Sequence, residues 1–301
     1  MSDLSMPEGM TLVPDPLPTI RISTPAVEAA VAVQGAQLVG WQPAGAAQVL
    51  YLSDQSRWEP GAAVRGGIPV CFPWFAAGRN HLVTASGHPD AVVSLEPAHG
   101  WARVTDWQLT TASVDEVGTA TLTFELHGAD QVDAPHPELF PEDATLRYTL
   151  RIGAELDLEL EVVAGTTLLD VETLLHTYLA VEDISEVRVT GLDGTPFWSK
   201  VTQESSTQDG DVVFAGPVDQ IHDTTAAVQV VGPQRTIEVT TTGSSSTVVW
   251  NPWSQGAATM ADMPDEDYRH MVCVESGNVV NHALTVGPGE SHVMTVNFRV
   301  S

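Results

Sequence analysis

Apolar residues along this chain fall mostly into short runs, and many of the runs alternate. The clearest is Glu155-Leu156-Asp157-Leu158-Glu159-Leu160-Glu161-Val162. Successive side chains of an extended chain point to opposite faces, so this segment puts carboxylates on one face and aliphatic groups on the other. One face meets a core and the other meets water. Thr121-Leu122-Thr123-Phe124-Glu125-Leu126 repeats the pattern. Further β-branched and apolar runs occur at Ala26–Val33, Val49–Leu52, Leu146–Ile152, Arg188–Leu192, Ala227–Val231, Thr236–Thr241, Thr247–Trp250, Met271–Val274 and His292–Val300. Gly, Pro, Asp and Asn separate them and supply the turns. Helical periodicity is scarce. Short helical turns are expected at Pro135–Phe140 and Asp262–Tyr268, each with acidic residues near its start. Many short strands with regular turn signals predict an all-β fold, a large antiparallel β-sandwich. No repeat and no linker divides the chain. One sandwich domain is expected over 19–301, after an extended, loosely held lead-in over 1–18.

Charge narrows the function. There are 12 basic and 39 acidic residues, a net charge of −27. Such a field repels nucleic acid and anionic membranes and favours solubility. Eleven of the basic residues are Arg, and Lys200 is the one lysine. The guanidinium fork suits phosphate and carboxylate, so any local Arg cluster stands out against the acidic background. Cys71 and Cys273 each lie in an apolar run and neither belongs to a CxxC pair. They are expected to be reduced, buried thiols, with no disulfide and no metal site. The lead-in lacks the basic and apolar regions of a signal peptide, and no stretch approaches a membrane span. A soluble cytoplasmic protein is expected, and a chain of this length needs no disulfide or metal staple.

Four segments embed polar groups in bulky, turn-rich surroundings. In Arg65-Gly66-Gly67-Ile68-Pro69 two glycines would let the backbone approach a ligand while the Arg reaches it; the alternative is a structural turn with an incidental Arg. His99-Gly100-Trp101-Ala102-Arg103 could present an imidazole, an indole and a guanidinium to one pocket, though a lone His is commonly structural. In Leu174-Leu175-His176-Thr177-Tyr178-Leu179, a strand would set His176 and Tyr178 on one face. An imidazole there serves equally as a hydrogen-bonded core group or as an acid–base group. Trp250-Asn251-Pro252-Trp253 is a rigid aromatic turn whose indoles suit the apolar faces of sugars. Glu275 ends an apolar run, where a carboxylate is costly unless paired or functional.

Taken in order, these elements resemble the glucose-6-phosphate 1-epimerase (hexose-6-phosphate mutarotase) family of the aldose 1-epimerase superfamily. The matching elements are Gly35-Ala36, Leu52-Ser53, Arg65-Gly66-Gly67-Ile68-Pro69, His99-Gly100-Trp101-Ala102-Arg103, His176-Thr177-Tyr178, Gly191-Leu192-Asp193-Gly194, Trp250-Asn251-Pro252-Trp253 and Cys273-Val274-Glu275. The resemblance covers nearly the whole chain after the lead-in, from about Gly35 to Val300. The resemblance implies a sandwich with its site on a concave sheet, interconverting the anomers of a hexose 6-phosphate without metal or organic cofactor, as a monomer. It implies His176 as general acid, Glu275 as general base, His99 as a second site histidine, Arg65 and Arg103 as phosphate ligands, and Trp250 and Asn251 as pocket neighbours. Two departures stand out. Ser199 occupies a place where the family often has Asp, and the stretch Arg79–Leu95 looks long, as an altered rim loop would. Rival readings are an aldose 1-epimerase for unphosphorylated sugars, which the two Arg segments oppose, and a non-catalytic carbohydrate-binding module, which leaves His176 and Glu275 unexplained. A glycoside hydrolase needs two carboxylates flanking the bond, and only one stands out.

Overall fold

The alternating segments become the strands of the largest sheet. A computed structural model of the protein describes residues 6–78 and 94–301. Leu156–Val163 pairs with Thr145–Ile152 and Ser291–Val300, and Ala120–His127 follows outside Thr145–Ile152. The complete sheet has nine antiparallel strands, running from Val212–Val213 at one edge to Gln108–Val114 at the other. Leu122, Phe124, Tyr148, Leu158 and Leu160 point inward and are buried in the principal core. On the wet face Arg147 sits between Glu125 and Glu161 of the two flanking strands, at 2.8 and 2.5 Å. Such surface pairs contribute little energy but agree with the register that the buried face sets.

A second sheet of eight strands carries the site. Its order is Glu204–Thr207, Pro196–Ser199, Val218–Asp223, Ser246–Asn251, Met271–Asn278, Thr173–Leu175 and Val70–Cys71, with Tyr178–Ala180 also paired to Met271–Asn278. This sheet is covered on both faces. Leu175, Val249, Val272 and Val274 join the principal core. Leu174, Val248 and Cys71, one residue out of phase with Leu175, Val249 and Val70, form a smaller apolar cluster with Phe75, Ile221 and Val279 on the other face. Met271–Asn278 is buried at every position, so Glu275 lies inside this strand and not at its end. A four-stranded sheet, Met10–Val13, Thr19–Ser23, Val27–Ala32 and Gln37–Pro43, and a two-stranded one complete the molecule.

Three expectations change. The lead-in is not loose throughout: Met10–Val13 pairs with Thr19–Ser23, and both Met10 and Leu17 are buried. Val49–Leu52 forms no strand, because its backbone bonds are divided between two segments. Tyr51 N–H donates to Tyr178 C=O at 3.0 Å, while Tyr51 C=O accepts from Gly67 N–H at 2.7 Å. The helical turns are 3₁₀ segments at Pro137–Leu139 and Asp267–His270, and the α-helix among the described residues is Trp253–Ala257. The expected rim loop over 79–95 lies, except for its last two residues, outside the described residues.

Candidate active site

The register of one ladder brings the site together. Leu175 stands opposite Ser276, and Tyr178 stands opposite Cys273. Both pairs belong to one register, so His176 falls opposite Glu275. The hydrogen-bonded strand breaks at His176-Thr177, because Thr177 N–H turns back to Leu175 C=O (3.0 Å) and His176 N–H bonds Pro69 C=O (2.9 Å). His176 and Tyr178 nevertheless share a face, with rings stacked 4.7 Å apart and inclined 15°. His176 Nε2 lies 3.3 Å from Glu275 Oε1. On the other side of the ladder Trp250 faces Cys273 and Asp219 faces Trp250. Directly opposed residues share a sheet face, so one row reads Asp219, Trp250, Cys273, Tyr178 and the next Val248, Glu275, His176. Trp250 meets the rings of His176 and Tyr178 edge-on, 6.0 Å from each.

Loops close the walls. Gly66 and Gly67 have φ of 122° and 61°. A Cβ on either would come within 2.5 Å of Tyr51 C=O or 2.2 Å of Leu38 C=O. These glycines therefore let the backbone press on neighbouring chain, and not on a ligand as the sequence led us to expect. The result is to hold Arg65 at the cavity. Its Nη1 donates to Tyr178 Oη at 3.0 Å, and its Nε and Nη2 donate to Asp262 Oδ1 at 3.2 and 3.1 Å. His99 occupies the left-handed region, φ 66°, a strained conformation for a residue with a Cβ. Gly100 follows at φ 73°, against Phe72 C=O. His99 Nδ1 receives Ala76 N–H at 3.4 Å and lies 3.5 Å from Cys71 Sγ. The Ala76 N–H can only donate, which makes Nδ1 an acceptor and assigns the imidazole proton to Nε2. Arg103 donates from Nη2 to Ala98 C=O at 2.6 Å, while its buried Nε has no partner among the described residues.

These groups enclose a cavity of about 290 Å³. Arg65, His99, Arg103, His176, Trp250 and Glu275 all line it. Asn251 does not. Its side chain is buried away from the cavity, donating to Tyr268 C=O (2.8 Å) and Met271 C=O (2.9 Å) and accepting Trp253 N–H (2.9 Å). It braces the aromatic turn. The cavity also holds Lys200 and Asp219, which the sequence reading missed, joined at 3.2 Å, with Lys200 Nζ 5.6 Å from the Phe75 ring centroid. The one lysine of the chain, and an acid two residues before an inward-facing Ile221, were the available signals. Ser199 instead turns to the local backbone, accepting Thr202 N–H at 3.2 Å. The carboxylate in this part of the cavity comes from Asp219 on the adjoining strand.

Burial governs the protonation. It pushes Glu275 well above the usual carboxylate range, and Asp219 adds to the shift. It pushes His176 well below the usual imidazole range, and Arg103 and Arg65 add to that. The pair therefore carries one proton and no net charge. His99 is held neutral in the same way, by burial and then Arg103. Burial raises Asp219 too, against the pull of Lys200. Glu275 Oε2 and His176 Nδ1 are buried without a hydrogen-bond partner among the described residues. The arrangement offers a proton donor and a proton acceptor side by side, under a rim of three cations. His176, Cys273 and Glu275 also bring one potential metal-ligating atom each to within 4.8 Å of one another, a grouping the sequence spacing gave no reason to expect.

The site is thus a close His176–Glu275 pair on an antiparallel sheet, in a cavity lined by Arg65, Arg103 and Lys200. The family model for aldose 1-epimerase matches residues 18–299, and the chain belongs to that family. It is 36% identical over 269 residues, 87% of this chain and 83% of the other, to an Escherichia coli (strain K12) protein named "Putative glucose-6-phosphate 1-epimerase". It is 31% identical over 281 residues, covering 87% and 78%, to a Cenchrus ciliaris protein of the same name. Its fold is similar to the crystal structure of a Salmonella typhimurium protein described as "a putative mutarotase", with TM-score 0.85, 29% identity and coverage of 99% and 95%. No helix among the described residues is long and apolar enough to cross a membrane.

Proposed function

We propose that this enzyme interconverts the α and β anomers of a hexose 6-phosphate, glucose 6-phosphate first among them, with Glu275 as general base and His176 as general acid. The observation that carries this reading is the uncharged His176–Glu275 pair, 3.3 Å across a ladder, in a cavity that also holds Arg65, Arg103 and Lys200. The family and the names of its relatives point to the same reaction.

Mutarotation moves only protons. A base removes the proton of the anomeric hydroxyl as an acid protonates the ring oxygen; the C1–O5 bond opens, the aldehyde turns about C1–C2, and the ring recloses on either face. The pair holds the single proton this needs. Its transfer from Glu275 to His176 gives carboxylate and imidazolium with no proton drawn from solvent. The free groups differ by about two pKa units, roughly 4.3 against 6.5. Burial raises Glu275 and lowers His176, which reverses that order and leaves the proton on Glu275 until the reaction draws it to His176. His99 presents an Nε2–H to the cavity as a hydrogen-bond donor. Trp250 offers an indole edge, and Asp219 a carboxylate for sugar hydroxyls.

The phosphate is a handle. Arg103, with a buried and unpartnered Nε, supports the reading of a phosphate ligand most directly; Arg65 shares its fork with Asp262 and Tyr178. The chain works as a cytoplasmic monomer, and its −27 charge keeps nucleic acid away. Anomer exchange by NMR on equilibrated glucose 6-phosphate, galactose 6-phosphate and free glucose tests the reading. Acceleration of a phosphorylated sugar alone supports it, acceleration of free sugars alone removes the phosphate claim, and no acceleration at all leaves a sugar-binding protein.

A further inference from the structure

Three donors of different chemistry meet on the cavity side of the eight-stranded sheet although no sequence motif joins them. Met271–Asn278 carries Cys273 and Glu275 two residues apart, hence on one face, and the ladder register sets His176 beside them. One imidazole nitrogen, the thiol sulfur and one carboxylate oxygen lie within 4.8 Å of one another. All three side chains are buried. Glu275 Oε2 and His176 Nδ1 have no partner among the described residues, and both residues line the cavity. A tetrahedral ion with bonds of about 2.0–2.3 Å spaces its ligands roughly 3.3–3.8 Å apart. His176 Nε2 and Glu275 Oε1 already stand at 3.3 Å. Closing the sulfur onto them asks for side-chain movement on the order of 1 Å, from 4.8 Å at most. A nitrogen, sulfur and oxygen set selects zinc and its neighbours over magnesium or calcium, which take oxygen alone.

We propose that His176, Cys273 and Glu275 form an inhibitory site for a divalent cation of the zinc class, bound on the floor of the sugar cavity. Only the inhibition rests on the acid–base reading of His176 and Glu275; the binding does not. The ion displaces the proton of the Cys273 thiol and the proton held by the His176–Glu275 pair. It leaves thiolate, carboxylate and neutral imidazole around the metal and releases two protons to solvent. Two positive charges enter and two leave, so Arg65, Arg103 and Lys200 on the walls gain no repulsion. The bound ion occupies both proton carriers at once.

Cobalt(II) titrated into the full chain is the probe, since a thiolate ligand gives a charge-transfer band in the near ultraviolet. The expected result is such a band, abolished by zinc, retained in Cys71→Ser and lost in Cys273→Ser, with circular dichroism verifying the folds. Zinc affinity, read by competition, should fall in Cys273→Ser by more than the roughly 10–100-fold that changes outside the ligand shell cost. Absence of the band in the unsubstituted protein overturns the site, and that measurement stands even if the variant does not fold. Unchanged zinc affinity in a folded Cys273→Ser overturns it equally. Anomer exchange under buffered zinc is measured separately. A band without inhibition would overturn the inhibitory role and the acid–base reading while leaving the metal site in place. Inhibition without a band would overturn the site and leave the acid–base reading standing.

Discussion

Asp262 grips the guanidinium of Arg65 along one edge, with Oδ1 3.2 Å from Nε and 3.1 Å from Nη2, and Oδ2 3.1 Å from Nη2. The carboxylate occupies the fork that a phosphate would take, and Tyr178 Oη accepts from the remaining Nη1. A phosphorylated ligand therefore competes with a carboxylate of the protein itself. Asp262→Asn should remove the competitor and tighten inhibition of anomer exchange by inorganic phosphate several-fold, at a stability cost of about 1–3 kcal/mol for the weakened charged hydrogen bonds. The opposite result, weaker phosphate inhibition with unchanged melting temperature, would mean that Asp262 aims Arg65 and does not compete for it.

Arg103 is placed differently. Among the described residues its side chain bonds Ala98 C=O alone, and its buried Nε has no partner. Loss of one hydrogen bond to a charged group costs about 1.5–3 kcal/mol, or roughly 10–100-fold in affinity. Arg103→Ala should raise KM for glucose 6-phosphate by that factor and leave exchange of free glucose unchanged. Equal losses on both sugars would remove Arg103 from the phosphate site and make its role structural.

The alternation that made Leu156–Val163 legible as a strand fixed its faces, because a period of two is set by local geometry and one face is buried. The same rule put His176 and Tyr178 together. What the sequence could not show was which strand lies beside which. Asp219 and Lys200 enter the cavity through pairings between segments about twenty residues apart, and Cys273 joins His176 through one nearly a hundred residues long. Asn251 shows the converse. Its place in an aromatic turn pointed to the pocket, yet its amide is used up in satisfying buried backbone carbonyls, which cannot be left without donors. Asn251→Ala should cost about 1–3 kcal/mol for each carbonyl orphaned, and activity should fall with the folded fraction while KM stays constant in chemical unfolding and kinetic assays run together.

Protonation of the pair also sets how stability depends on pH. Glu275 is raised in the fold, so above the unfolded value of about 4.3 the native state holds a proton that the unfolded state has lost. Stability then falls as pH rises, by at most about 1.4 kcal/mol per unit. His176 is lowered, so below about 6.5 the unfolded state binds the extra proton, and stability falls as pH falls. Between those values the two slopes oppose each other; above about 6.5 only the Glu275 slope persists. Asp219 acts in the sense of Glu275, and His99 in the sense of His176. Glu275→Gln removes one descending component, so in urea titrations across neutral pH its stability relative to the native sequence should increase with pH until the folded Glu275 would itself ionise. A constant difference over that range would show that Glu275 is ionised in the folded protein.

The chemistry itself is tested by removing each proton carrier. A positioned acid or base contributes typically about 10²–10⁴-fold. His176→Ala and Glu275→Gln should each reduce anomer exchange by that order while the protein remains folded. In the proposed mechanism the two groups, 3.3 Å apart, exchange one proton and act as a unit. Once either is gone the other has no partner to complete the transfer, so the double variant should be scarcely slower than the worse single one. Losses that multiplied would place His176 and Glu275 in separate steps. Retention of most of the rate by either single variant would move the acid–base role to His99, the other imidazole at the cavity, whose ring centroid lies 5.4 Å from that of His176.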